Sequence, residues 1–205
     1  MPVAVLRESH LFDREILSLT QYLLNPGKTG IIAEFKRKSP SKGIINEEAD
    51  VLKTTIEYTS YGASGLSILT DEFFFGGSSG DLVKARVNPL PILRKDFIID
   101  EYQVIESRAI GADALLLIAA CLQPRQVKGF AALAKDIGME VLLEIHEESE
   151  LEHICDDIDL VGINSRDLKS FAVDTDASLQ LLGKTPPGRP VIAESGINSV
   201  ESVVT

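Results

Sequence analysis

The chain has 205 residues, with 31 acidic against 20 basic side chains, a formal net charge of −11 and 44% hydrophobic residues. That apolar content is ample for the core of one large domain, and the acidic balance argues against nucleic-acid or anionic-membrane binding. No apolar run approaches the roughly 18 residues of a membrane span, and the opening MPVAVLRESHLFD carries charges where a signal peptide is apolar, so a soluble, cytoplasmic protein is expected.

Residues 11–24 (LFDREILSLTQYLL) place apolar side chains at helical spacing and stop at Asn25-Pro26-Gly27, which predicts an extra N-terminal helix. The next stretch, GIIAEFKRKSPSKG (30–43), begins as a short buried strand and ends in the turn-forming Ser39-Pro40-Ser41. Strand side chains repeat every two residues, so Glu34 and Lys36 at its end point to the same side. Lys36, Arg37, Lys38 and Lys42 crowd this loop, which suits a small anionic ligand if the loop is more than a solvated one. A helix is predicted within 46–61, closed by Gly62, and a strand over 66–69. Phe73-Phe74-Phe75-Gly76-Gly77 then forms a loop whose rings either cover an aromatic ligand or pack beneath it, before a helix at 81–86.

The alternation continues along the chain. A strand at 90–93 ends in Arg94-Lys95-Asp96-Phe97, and a helix follows at 101–110. A strand at 114–118 precedes a helix at 124–137, and a strand at 141–143 ends at Glu144. A short helix covers 151–155, and a strand at 160–163 ends in Asn164-Ser165-Arg166-Asp167. A helix includes 179–182, a strand at 190–193 ends in Glu194-Ser195-Gly196, and Ser199 opens one more helix. Cys121 and Cys155 read as buried small hydrophobes in a reducing compartment, without disulfide or metal spacing.

Seven strand–helix units in strict alternation predict a parallel sheet covered by helices. A doubly wound open sheet and a closed (β/α)8 barrel both alternate in this way. No Gly-rich dinucleotide fingerprint follows any strand, since GGSSG at 76–80 lacks the spacing. Ionisable and polar residues instead close most strands, as on the active face of a barrel. The expected fold is therefore an α/β TIM barrel with an extra N-terminal helix. It forms a single domain over 1–205, with 1–29 as the extension and 30–205 as strands one to seven. The eighth strand and last helix would lie beyond Thr205. A shortened version of a longer enzyme is favoured over a gap filled by a partner chain.

Across a barrel mouth Lys95 would face Glu144, as an acid toward a carbonyl or hydroxyl oxygen paired with a base or second acid. Asn164 suits fixing an intermediate, Arg166 and Lys36 suit a carboxylate or phosphate, and Ser195 with the Gly196 N–H suits phosphate. The plainer alternatives are a surface pair at Arg166-Asp167 and a structural Glu194 hydrogen-bonded to a lysine. The three histidines suggest no role, and no metal is expected.

Seven segments taken together resemble one family: IIAEFKRKSPSKG (31–43), LTDEFFFGGS (69–78), PILRKDFIID (91–100), GADALLLI (111–118), EVLLEIHEE (140–148), VGINSRDL (161–168) and VIAESGI (191–197). They are similar, in order, to the indole-3-glycerol-phosphate synthases of tryptophan biosynthesis. The resemblance implies a carboxy-lyase without a cofactor. Its substrate is a phosphorylated small molecule, 1-(2-carboxyphenylamino)-1-deoxyribulose 5-phosphate, and its product indole-3-glycerol phosphate. By position, Lys95 resembles the general acid of ring closure, Glu144 the acid/base of the dehydration, and Lys36, with Glu34 beside it, the residue engaging the substrate's anionic groups. Asn164 and Arg166 match the pair orienting the anthranilate part. Ser39, Phe75, Phe97, Leu116, Glu194, Ser195 and Gly196 match substrate-lining positions, the last three near the phosphate. A monomeric parent enzyme is expected, with exposed strand edges as a route to association in this shorter form. The alternatives are another phosphosugar barrel enzyme, such as phosphoribosylanthranilate isomerase or a Schiff-base lyase using Lys95, and an inactive fragment of the synthase.

Overall fold

The computed structural model describes residues 1–166 and 174–195. After the short helices α1 (Val3–Arg7) and α2 (Leu19–Leu24) come β1 (Ile32–Phe35), β2 (Lys38–Ser39), β3 (Gly43–Ile44) and α3 (Val51–Ser60). The chain continues through β4 (Gly65–Leu69), α4 (Glu72–Phe75), α5 (Ser79–Ala85), β5 (Ile92–Lys95), α6 (Glu101–Ala109), β6 (Ala114–Ile118) and α7 (Pro124–Asp136). It closes with β7 (Glu140–Ile145), β8 (Leu160–Asn164), α8 (Thr175–Lys184) and β9 (Val191–Glu194).

Seven strands pair in parallel in the order β1-β4-β5-β6-β7-β8-β9, which is chain order, as consecutive strand–helix units with crossover helices require. The sheet is strongly curled. In a flat sheet of seven strands the outermost two would stand about 29 Å apart. Here Glu34 of β1 and Glu194 of β9 both reach one side chain, Lys95 of β5, at 3.6 and 2.5 Å.

The two-residue period of the strands sorts their side chains between two cores. Leu115 and Leu117 of β6, Val141 and Leu143 of β7, and Ile92 of β5 pack outward under the helices. Leu93, Ala114, Leu116, Ile118, Leu142 and Leu160 point inward and fill the barrel. Leu19 of α2 joins this inner cluster and plugs one end. A Cβ on Gly65 would lie 2.5 Å from Leu19 Cδ1, so the bare glycine lets the Leu19 side chain approach this closely where α2 crosses β4.

The N-terminal segment departs from the predicted single helix at 11–24. Asp113, at the start of β6, accepts from Arg14 Nη2 at 2.6 Å and from the Leu17 backbone N–H at 2.9 Å. Glu140 of β7 takes the Ser18 hydroxyl and the Thr20 N–H. These bonds hold 14–18 against the barrel and leave only α2, N-capped by Ser18, to become helical. Tertiary hydrogen bonds have overridden local propensity.

Smaller differences follow the same logic. The segment 73–75 is no open loop, because Asp71 caps a single helical turn by accepting from the Phe74 and Phe75 N–H groups. The segment 38–44 folds into a two-stranded hairpin. The predicted helix at 151–155 is a 3-10 turn, Glu148–His153. Strand ends run one or two residues further than apolarity suggests, so that Lys95, Glu144, Asn164 and Glu194 all lie within strands. Cys121 is exposed and Cys155 only half-buried, against the expectation of two buried thiols. No helix among the described residues is long and apolar enough to cross a membrane. Asp167, Gly196 and the helix predicted from Ser199 lie outside the described residues.

Candidate active site

The inward register that carries leucines through the barrel brings polar side chains to the C-terminal ends of the strands. Glu34 follows Ile32 on β1, Lys95 follows Leu93 on β5, and Glu144 follows Leu142 on β7, each two residues on and facing the same way. Glu194 follows Ile192 on β9 in the same manner. The four meet at the Lys95 ammonium. Its Nζ lies 2.5 Å from Glu194 Oε2 and 3.6 Å from both Glu34 Oε2 and Glu144 Oε2.

Around this centre a second set of contacts fixes each carboxylate. Glu34 is paired with Lys36 and accepts from Ser67 Oγ at 3.4 Å. Glu144 Oε1 accepts from Asn164 Nδ2 at 3.1 Å and lies 3.2 Å from His146 Nε2. Asn164 Oδ1 in turn accepts from the Arg166 N–H at 3.0 Å, so one amide holds both the Glu144 carboxylate and the loop after β8. Glu194 differs from the other two. Its Oε1 is buried with no hydrogen-bond partner and sits against Gly162 of β8, where a Cβ would lie 2.2 Å away.

Charge and burial push these groups apart. Burial lowers the proton affinity of the Lys95 amine, but Glu194, Glu144 and Glu34 together outweigh it, so the ammonium persists well above the ordinary lysine range. Burial raises Glu144, yet His146, Lys95 and Asn164 carry it down to about 2. Glu34 is likewise lowered, burial being overcome by Lys95 and Lys36. Glu194 is raised to about 7, first by burial and then by the nearby Glu144 and Glu34 charges, with Lys95 opposing. One ammonium does not hold three ionised carboxylates, and the one without a second partner takes the proton. Two carboxylates with proton affinities driven in opposite directions around one cation are an arrangement that acid–base chemistry can use.

The other expected residues fall at varied distances from this centre. Phe97 packs into the inner cluster with Leu116 as its fully buried floor. The Phe75 and Phe97 rings lie 6.3 Å apart and the Phe74 ring 5.8 Å from Phe97, an aromatic rim beside Lys95. Ser39 is buried in the β2–β3 hairpin, its Oγ accepting from the Lys42 N–H at 3.2 Å. Ser195 follows β9 with φ 66°, the only non-glycine in the left-handed region among the described residues. Its carbonyl accepts from Ser165 Oγ at 3.3 Å.

The basic cluster at 36–42 is not one ligand site. Arg37 makes a two-pronged pair with Asp81 at 2.7 and 3.0 Å, bonds the Gly76 carbonyl and stacks on Phe35. It pins the loop after β1 to α5. Sequence reasoning also passed over His146. The signal was present, because His146 stands two residues after Glu144, the spacing that paired Glu34 with Lys36.

A curled parallel sheet with its acid–base groups at the C-terminal strand ends defines an enzyme of the (β/α) barrel class. Solved structures of similar fold include a chain of the Pyrococcus furiosus tryptophan synthase complex, with TM-score 0.61 and 14% identity over 85% of this chain and 81% of that one. Another is 3-keto-L-gulonate-6-phosphate decarboxylase from Vibrio cholerae, with TM-score 0.58 and 14% identity over 82% and 78%. The chain belongs to the indole-3-glycerol phosphate synthase family, whose model matches residues 2–205. It is 51% identical to the synthase of Bacteroides thetaiotaomicron over 85% of this chain and 68% of that protein. Against the synthase of Polaromonas naphthalenivorans the identity is 46%, over 96% and 75%.

Proposed function

We infer that this chain converts 1-(2-carboxyphenylamino)-1-deoxyribulose 5-phosphate to indole-3-glycerol phosphate, carbon dioxide and water, with Lys95 at the centre of the chemistry. The observation that carries this reading is the single ammonium faced by carboxylates from β1, β7 and β9. The reaction needs a proton at the ribulose carbonyl oxygen so that the anthranilate ring carbon bearing the carboxylate can attack the carbonyl carbon. Lys95, charged throughout the working pH range, supplies that donor. Loss of carbon dioxide leaves its bonding electrons with the ring and restores aromaticity. The new hydroxyl then departs as water while a proton leaves the adjacent carbon.

Two of the three carboxylates divide this last step. Glu144, held ionised, accepts the proton. Glu194, protonated up to about neutral pH and in contact with Lys95, keeps a proton available beside the leaving oxygen. Lys36 and Arg166 face the substrate's anionic groups, Asn164 orients Glu144, and the Phe75 and Phe97 rings cover the anthranilate ring. Ser39, Leu116 and Glu34 complete the lining, and Ser195 with Gly196 takes the phosphate. The test is indole fluorescence formed from the carboxyphenylamino substrate by the purified chain. Turnover that vanishes in Lys95→Ala supports the reading, and turnover retained in that variant overturns it.

A further inference from the structure

His146 is a titratable side chain at the barrel mouth to which the proposed reaction gives no task. It lies just past the end of β7, two residues beyond Glu144, with its side chain 12% exposed. Its Nε2 is 3.2 Å from Glu144 Oε1 and its Nδ1 is 3.5 Å from Glu150 Oε2. Neither ring nitrogen meets the geometry of an aligned hydrogen bond, and the ring stands between two carboxylates at ion-pair distance. Glu150 is itself fixed, accepting from the backbone N–H groups of His146 at 2.5 Å and Glu147 at 3.4 Å. This ties the imidazole to the 3-10 turn Glu148–His153.

We propose that His146 is a positioning residue, its ring clamped between Glu144 and Glu150, that orients Glu144 and supports its carboxylate independently of Lys95. The proposal rests on the reading of Glu144 as the base of the reaction. Its geometric ground is the division of labour between the two Glu144 oxygens. Oε1 is engaged from behind by His146 and Asn164, while Oε2 faces Lys95 and the interior of the mouth. Lys95 is shared among three carboxylates and turns toward the substrate oxygen during reaction. A second cation behind Glu144 keeps the carboxylate from taking up a solvent proton before the last step, so that it is free to accept the substrate's.

The charged and titratable groups around the imidazole are Glu144 on β7, Glu150 and His153 on the 3-10 turn, Cys121 on the turn after β6, Lys95 on β5, and Glu34 and Glu194 beyond it. The two nearest are both carboxylates, and they outweigh the burial that opposes the imidazolium and raise His146 to about 9. The clamp is therefore charged across neutral pH.

The test compares wild type with His146→Asn, Glu150→Gln and Glu144→Gln, each checked for folding by circular dichroism. In His146→Asn, kcat falls about ten-fold with KM within two-fold, as expected for a displaced reactive group. The acid limb of kcat/KM moves upward toward the ordinary carboxylate value of 4.5, from the depressed position that His146 helps to maintain. Glu150→Gln moves the limb in the same direction by less. An acid limb and kcat unchanged from wild type in folded His146→Asn overturn the proposal. If that variant does not fold, an unchanged limb in Glu150→Gln does so instead. Glu144→Gln separates the two levels. Activity retained there removes the reading of Glu144 itself, whereas inactivity there beside an unchanged His146→Asn removes only the clamp.

Discussion

Lys95 Nζ and Glu194 Oε2 lie 2.5 Å apart although 99 residues separate them in the chain. The contact crosses the open interior of the sheet, from the third strand of the curl to the seventh. It links the residue read as the proton donor to the one of its three carboxylate neighbours that is raised in proton affinity.

Replacing Lys95 with Met removes the cation that three carboxylates share. Loss of a general acid costs on the order of 10²–10⁴ in rate, so kcat should fall at least that far in the indole-fluorescence assay. The uncompensated carboxylates should also lower stability at neutral pH, by about 3 kcal/mol, and part of that loss should be regained in acid as they protonate. Urea unfolding of the variant at pH 5 and pH 8 checks both signs.

Glu194 carries a pH dependence of its own. Its folded-state value is raised from 4.5 to about 7. Its contribution to stability is therefore fully present below pH 4.5 and declines as the pH rises through about 7. Glu194→Gln should flatten that decline and remove a fall in kcat/KM of the same midpoint. A kcat/KM profile with the same alkaline fall in Glu194→Gln as in wild type would exclude Glu194 as its source.

Gly162 is a conformationally undemanding position whose missing side chain matters. An Ala there would place a Cβ 2.2 Å from Glu194 Oε1, forcing that carboxylate off Lys95 while leaving the strand's hydrogen bonds intact. We expect a folded Gly162→Ala protein with kcat/KM reduced roughly 10²-fold. A wild-type rate would mean that the Lys95–Glu194 contact is not used.

At the opposite end, Asp113 is fully buried, pairs with Arg14 and Arg86, and accepts from the Leu17 and Ile92 N–H groups. Asp113→Ala leaves two half-buried guanidinium groups without their carboxylate and should cost about 3 kcal/mol. The kcat/KM of the remaining folded protein should stay near wild type, because the cluster lies at the N-terminal ends of the strands. Calorimetry and steady-state kinetics together separate the two effects.

The strand–helix alternation, the parallel sheet and the inward face of each strand were legible in the chain, because burial on both sides of a strand demands unbroken apolar runs and the two-residue period is local. The same local rule placed Glu34, Lys36, Lys95, Glu144 and Glu194 at strand ends, and it covered His146 too once applied beyond the apolar run. Partnership was not legible. Arg37 and Lys36 are neighbours of like charge in the sequence, but the strand alternation sends Lys36 to Glu34 in the mouth and Arg37 outward to Asp81 of α5. The N-terminal segment 11–24 has helical spacing, and only bonds to Asp113 and Glu140, about a hundred residues away, hold its first part out of a helix. The proton affinities belong to the tertiary structure alone. Glu144 and Glu194 are the same residue type, each at the end of an apolar strand. Curling the sheet gives one a histidine and an amide, and leaves the other a buried oxygen against Gly162.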